Sequence, residues 1–359
     1  MLATAHRAFF QPLQLGPLSL KNRLVMAPMS RYFCPDEVPG EASAAYYARR
    51  AGAGLIISEA TYIPHPSAHS YRNVPRFYDA DALAGWAKVI KAVHAEGGIM
   101  FPQLWHTGNF RELGMHPDPA IPGFDASENL NTVQNTTHPA KPMTEADIAA
   151  IIEAYADAAA SAQALGFDGI EIHGAHGYLI DTFFWRKTNR RTDRWGGDLH
   201  ERARFGTEIV RAIRARTGPD FPISFRWSQF KQQDYEARLA ETPEELEILL
   251  GALADAGVDI FHTSTRRIWD PAFPELSPLT LAGWTKKLTG HPVIAVGSVG
   301  VAEPHDGINK ARALLEEGEA DLIAVGRSIL ADPDWPLKLR EDRLIERHAF
   351  EPAHLKALE

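Results

Sequence analysis

One cysteine, Cys34, stands in 359 residues, so no intramolecular disulfide can form and no thiolate cluster can hold iron–sulfur or structural zinc. No run reaches the roughly 18 consecutive apolar residues of a membrane-spanning helix, and the stretch from Met1 to Gln14 has no apolar core of signal-peptide length. These absences lead to the expectation of a cytoplasmic protein without a membrane partner. Lys and Arg form no basic run and the net charge is -9, which argues against nucleic acid or an anionic surface as a partner. Low-complexity tracts and composition breaks that would mark a second domain are also missing. What is present is 45% hydrophobic and 23% charged residues, enough for a sizeable core.

Eight short apolar or β-branched segments punctuate the chain: Arg23–Pro28, Gly54–Glu59, Gly98–Leu104, Gly169–His173, Pro222–Trp227, Val258–Ser264, Pro292–Val296 and Leu322–Val325. Helical patterns lie between most of them, including Ala80–Glu96, Thr144–Leu165, Glu201–Arg216 and Thr242–Ala256. Eight alternations of strand and helix predict an α/β fold, a closed (β/α)8 TIM barrel, as one domain over residues 1–359. Thr242-Pro243-Glu244-Glu245 predicts a capping box, and Thr144 with Asp147 a similar start. Gly97, Gly166 and Gly257 fall where left-handed helix caps favour glycine. Two connections exceed turn length. Residues 107–143, after strand three, are expected to form a capping loop or subdomain, and 266–280 follow strand six.

Polar and glycine residues gather at the C-terminal ends of these strands, the face where barrel enzymes build their sites. Ser30, Ala60, Gln103, Trp105, His173, His176, Tyr178, Arg226, Gly297, Ser298, Gly326 and Arg327 all fall there. Period-two alternation in Gly169–His173 turns Glu171 and His173 inward, and in Ile223–Trp227 it turns Ser224 and Arg226 inward. An ion pair between Glu171 and Arg226 is the expectation, with another cation or a buried water as the alternative partner for Glu171. Gly297-Ser298 and Gly326-Arg327 read as a phosphate cradle after strands seven and eight, or as ordinary turns with a surface arginine. His173 and His176 have a spacing compatible with metal ligation. Strand one lacks His-x-His, however, and Arg226 is a poor neighbour for a cation, so no metal is expected. Either imidazole alone is compatible with a structural role, as is Tyr178 with plain packing. Asp193 within Arg190–Arg194 suggests a loop-anchoring network, while His65, His69, His116 and His138 fall in loops without an assigned role. Nothing around Cys34 predicts a reactive thiol.

Three motifs go further. Lys21-Asn22-Arg23-Leu24-Val25-Met26-Ala27-Pro28-Met29-Ser30-Arg31 resembles the first-strand signature of Old Yellow Enzymes, and Gln103-Leu104-Trp105-His106-Thr107-Gly108 their third-strand signature. His173-Gly174-Ala175-His176-Gly177-Tyr178-Leu179, followed by Asn189 to Gly197 and Glu201 to Phe205, resembles the family's longest motif. The likeness runs from about Phe9 to Trp335.

The resemblance implies FMN across the barrel mouth, touched by Pro28, Met29, Ser30 and Ala60, with Gln103 on its pyrimidine edge and Arg226 beside N1 and O2. Ser30 occupies a position that is usually Thr or Cys in the family. Gly297, Ser298, Gly326 and Arg327 would hold the phosphate. It further implies an ene-reductase: NADH or NADPH reduces the flavin, then an activated alkene such as an enone, nitroalkene or maleimide enters the same space. His173 and His176 would bind its oxygen, Tyr178 would give the proton, and Tyr32 and Trp105 would shape the cavity. Reduction of nitro compounds or dienoyl thioesters is the alternative chemistry, and a flavin-binding protein without turnover the alternative class. A homo-oligomer, dimer or tetramer, is left open.

Overall fold

The computed structural model describes residues 4–132, 135, 139–301 and 304–358, so His138 lies outside the described residues. Its centre is a closed, wholly parallel barrel of eight strands. In chain order these are β1 (Leu24–Met26), β2 (Leu55–Tyr62), β3 (Met100–Trp105), β4 (Ile170–His173), β5 (Ile223–Trp227), β6 (Ile260–Ser264), β7 (Val293–Val296) and β8 (Leu322–Val325). Each pairs with its neighbours in sequence, and β8 closes on β1 through Ile323 opposite Leu24. Every expected strand segment overlaps one of them.

Helices pack outside the strands: α1 (Glu41–Ala48), α2 (Ala80–Ala95), α3 (Glu145–Ala164), α4 (Leu199–Thr217), α5 (Pro243–Ala256), α6 (Leu281–Thr289) and α7 (Pro304–Glu316). The capping box of α3 forms, Thr144 Oγ1 accepting from Asp147 N and Asp147 Oδ2 from Thr144 N. That of α5 closes differently. Thr242 Oγ1 accepts from Glu245 N, but Glu245 reaches back to Glu241 N rather than to Thr242. Helix α4 begins two residues before its expected start, since Asp198 and Glu201 form a reciprocal box there. Gly97, Gly166 and Gly257 all have positive φ.

Two apolar layers result from the alternation of side chains along each strand. The inner one joins Val25, Leu55, Ile57, Phe101, Ile260, Ile294 and Leu322, and is sealed below by Leu15, Leu18 and Leu20 of an antiparallel hairpin, Leu13–Leu15 and Leu18–Leu20. The outer one packs Met100, Leu104, Ile170, Ile172 and Phe225 against the helices. The barrel is therefore plugged and apolar at its base, which leaves the C-terminal mouth for chemistry.

Two features shape that mouth. The β2–β3 register slips between Ile57 and Ala60, a bulge that re-aims the end of β2. Residues 107–143 carry a short turn, Gly108–Phe110, and a two-stranded pairing of Phe124–Asp125 with Lys141–Pro142. Arg190 and Arg191, from the loop after β4, bind this segment through Glu128 O, Ala126 O and Met143 O.

Beneath the mouth, Glu59 is buried and accepts a bond from Arg31 N at 2.9 Å. Burial pushes its carboxyl up to about 7 from 4.5. The folded chain thus holds this proton more tightly than the unfolded one. The contribution of this one group to stability is fullest below about 4.5 and is lost as pH rises to about 7, by about 3 kcal/mol in all. Glu59→Gln, which keeps an acceptor for Arg31 N, should flatten this slope and gain stability at pH 8 relative to pH 5. Thermal melts at both values check it, and parallel pH dependences in parent and variant would refute it.

Candidate active site

Inside the barrel the apolar layers give way to polar ones toward the mouth. Gln103, Glu171 and Ser224 are register partners across β3, β4 and β5. One step higher, Arg226 is partnered by His173 on one side and His262 on the other. Ser264 ends β6 above them.

The expected pair of Glu171 with Arg226 does not form. Glu171 accepts instead from His262 Nδ1 at 2.7 Å, Gln103 Nε2 at 2.8 Å and Ser224 Oγ at 3.0 Å. By register both Arg226 and His262 lie one row above Glu171, and of the two it is the His262 side chain that reaches back to the carboxylate. The imidazole of His262 and the nearby Arg226 hold the Glu171 carboxyl below its ordinary range despite burial. Arg226 keeps a single bond, Nη2 to Ser264 Oγ at 3.3 Å, and its buried Nε has no partner. A buried guanidinium left without a carboxylate favours an anionic group arriving from the mouth. The ionised Glu171 can only accept, so Gln103 must turn its amide N–H toward it and its carbonyl oxygen away.

At the end of β4, His173 is 5% exposed and its Nδ1 accepts from Ala175 N at 3.4 Å, leaving the ring proton on Nε2. His176 is half-buried, with Nε2 at 2.8 Å from Ser264 Oγ. Ser264 Oγ accepts from Arg226 and can give its own proton to that nitrogen, the arrangement that leaves the His176 proton on Nδ1. Burial and the Arg226 charge hold both imidazoles well below 6.5, so both are neutral at pH 7. Their ring centroids are 5.2 Å apart. Tyr178 lies 5.0 Å from His173, edge-on, and against Trp105 and Phe110 at 4.8 and 4.5 Å. Burial pushes its phenol well above 10, so it keeps its proton.

The remaining expected residues gather around this centre to different degrees. Pro28, Met29 and Ser30 are half-buried at the end of β1, and Ala60 is buried. Tyr32 is 47% exposed, with φ of 62°, and faces Tyr71. Trp105 is buried, stacked on Tyr62, Tyr71 and His173. Gly297, Ser298, Gly326 and Arg327 lie together after β7 and β8. A Cβ on Gly297 would come within 2.5 Å of Thr265 O, and one on Gly326 would meet Met29 Sδ at 3.4 Å. Among the described residues no group of three His, Cys, Asp or Glu side chains could hold a metal, and no helix is long and apolar enough to cross a membrane. His65 and His106 clasp Ser67, and His69 bonds Glu37 and Tyr78, all structural contacts. Cys34 is buried beside Ser43, its thiol pushed up by burial.

Four residues at the mouth carry no motif of their own: Tyr71, Gln232, His262 and Ser264. For His262 and Ser264 a signal existed, because the alternation rule that turns Glu171 and Arg226 inward does the same along β6.

A plugged barrel with a buried arginine that keeps an unpartnered N–H, a free amide oxygen and a glycine cradle at one mouth fits a flat cofactor with a phosphate tail. Comparisons with known proteins agree. The family described as NADH:flavin oxidoreductase / NADH oxidase matches residues 8–346. The NADH oxidase of Thermoanaerobacter brockii is 36% identical over 345 residues, 92% of this chain but half of that protein. Arabidopsis thaliana 12-oxophytodienoate reductase 2 is 32% identical over 349 residues, covering 94% of this chain and 89% of its own. The solved structure of morphinone reductase in complex with tetrahydroNAD superposes with a TM-score of 0.82 at 32% identity, over 97% of this chain and 93% of that one. The chain belongs to the NADH:flavin oxidoreductase / NADH oxidase family, that of the Old Yellow Enzymes. It is an FMN-dependent NAD(P)H oxidoreductase.

Proposed function

We propose that this enzyme reduces electron-poor C=C bonds of small enones, nitroalkenes and maleimides, with His173 and His176 binding the activating oxygen and Tyr178 as the acid. The observation that carries this reading is that the rings of His176 and Tyr178 both pack edge-on to His173 at the mouth, 5.2 and 5.0 Å away, where burial favours the neutral form of all three.

FMN, reduced by NADH or NADPH, supplies the hydride. Arg226, Gln103, Pro28, Met29, Ser30 and Ala60 are the residues that would hold its ring system, and Gly297, Ser298, Gly326 and Arg327 its phosphate. Arg226 contributes a positive charge with an unpartnered N–H and Gln103 an acceptor oxygen. His173 Nε2–H and His176 Nδ1–H would donate to a carbonyl or nitro oxygen, where negative charge grows as the β-carbon is reduced. Because both donors are fixed by bonds of their own, little reorganisation accompanies that charge. Tyr178 holds a proton for the α-carbon, and its phenol keeps it at neutral pH. Trp105, Tyr71 and Tyr32 wall the approach, and a cavity of about 300 Å³ lined by Phe230, Tyr235, Ser264 and Arg266 opens beside it.

The purified protein should be yellow, bleach with NADH or NADPH under anaerobic conditions, and recolour on adding cyclohexenone with formation of cyclohexanone. A nitroaromatic and a dienoyl-CoA serve as competing acceptors. Recolouring by these but not by any enone, nitroalkene or maleimide would overturn the proposal.

A further inference from the structure

The segment that presents His176 and Tyr178 is held in a costly shape. His176 has φ of 66° and Gly177 of 84°, two successive residues in left-handed conformation, and a histidine persists there only where its surroundings demand it. Those surroundings are the loop after β5. His176 N–H donates to Ser228 Oγ at 3.0 Å, and His176 C=O accepts from Gln232 N at 3.2 Å. Gly177 N–H donates to Asp181 Oδ2 at 2.6 Å, and the other Asp181 oxygen meets Lys231 Nζ at 2.7 Å, both side chains being 0% exposed. Lys231 Nζ also donates to Ser228 O at 3.2 Å. A fully buried ion pair adds little stability over a well-packed apolar pair, and its best-attested use is to fix geometry. Here it locks one loop to another and sets Gln232 beside the acid, with Nε2 donating to Tyr178 Oη at 3.0 Å.

We propose that Gln232 is a positioning residue for proton delivery: it donates to the Tyr178 oxygen, makes no claim on the phenolic proton, and stabilises the phenolate that remains. A phenol has one proton and acceptor lone pairs. A donor placed on a lone pair does not compete for the proton, whereas an acceptor in the same place would. As the O–H bond breaks, the proton goes to the substrate α-carbon and the bonding electrons stay on the Tyr178 oxygen. The Gln232 N–H shares that charge until water returns a proton. Tyr71 is the other phenol set against this oxygen. Its contact favours the protonated form of Tyr178, so Tyr71 is placed as the acceptor of the phenolic proton, and the substrate must take its place before the proton is delivered.

The inference rests on Tyr178 being the acid, and the experiment separates the two. FMN-bound parent, Gln232→Leu, Gln232→Glu, Tyr178→Phe and the Tyr178→Phe/Gln232→Leu double variant are compared by anaerobic rapid mixing, first with NADPH and then with cyclohexenone. Gln232→Leu should slow enone reduction about tenfold, the size of one hydrogen bond to a charged group, raise the solvent deuterium isotope effect, and leave flavin reduction by NADPH unchanged. Gln232→Glu has the same shape but an acceptor, and should lose at least as much. In the Tyr178→Phe background Gln232→Leu should have no further effect. Parent-like enone rates in Gln232→Glu, or equal losses with and without the Tyr178 hydroxyl, would overturn the role of Gln232 alone. An unimpaired Tyr178→Phe would overturn the acid assignment and this inference with it.

Discussion

Tyr178→Phe is expected to slow enone reduction by on the order of 10²- to 10⁴-fold while flavin reduction by NAD(P)H keeps its rate. Removing one oxygen from a ring packed between Trp105 and Phe110 leaves the aromatic contacts intact, so the cavity keeps its shape and only the proton is lost. The phenol is held well above 10 by burial. The rate should therefore show no fall between pH 7 and 9 from loss of this proton, in contrast to an acid with a pKa near neutrality. Separate rapid-mixing measurements of the two half-reactions check the first claim, and a pH series of the enone step the second. Equal slowing of both half-reactions would mean that the variant disturbs flavin binding, and the assignment of Tyr178 would be lost. A nitroalkene is an informative second acceptor, because its nitronate product is stable without carbon protonation and should be formed by the variant at closer to the parental rate.

The barrel was legible because its strand-and-helix signal is repeated eight times, with features read at the same end of seven strands. The mouth was legible for a related reason: alternation along β4 and β5 assigns Glu171, His173, Ser224 and Arg226 to the interior, where the structure has them. Pairing inside the barrel was not. Whether Glu171 meets Arg226 or His262 depends on which side chain reaches back to it across the closed sheet, which no single strand encodes. Had the same alternation been followed along β6, His262 and Ser264 would have appeared as competitors for those two partners. Tyr71 and Gln232 were out of reach for a different reason. They come from loops, whose paths are set by contacts such as the Lys231–Asp181 pair and by no periodicity. The outcome at Glu171 also matters for function. Gln103, Ser224 and His262 occupy the carboxylate oxygens, so N–H groups of Arg226 stay available at the mouth, which a direct Glu171–Arg226 pair would have prevented.

His173→Leu should reduce kcat/KM for an enone by on the order of 10²- to 10³-fold, the usual consequence of removing one fixed donor from a developing oxyanion. The argument is electrostatic. Nδ1 of His173 is occupied by Ala175 N–H, so its one proton has a single direction in which to donate, and the neighbouring ring of His176 is anchored on Ser264. Leucine fills much of the same volume against Trp105 and Tyr178 but offers nothing to the oxygen. His173→Asn restores an N–H on a shorter side chain and should recover part of the loss. The pH dependence has a definite sign as well. Both imidazoles are depressed well below 6.5, first by burial and then by Arg226, so neither gains a proton between pH 8 and 6. The enone step should be level across that interval, where an ordinary histidine would change its charge. Any inflection from these residues belongs further to the acid side. Steady-state kcat/KM over pH 5.5 to 8.5 for parent and variant measures this. A midpoint near 6.5 in the parent that disappears in His173→Leu would show that the donor works as an imidazolium, and the neutral pair of donors would have to be abandoned.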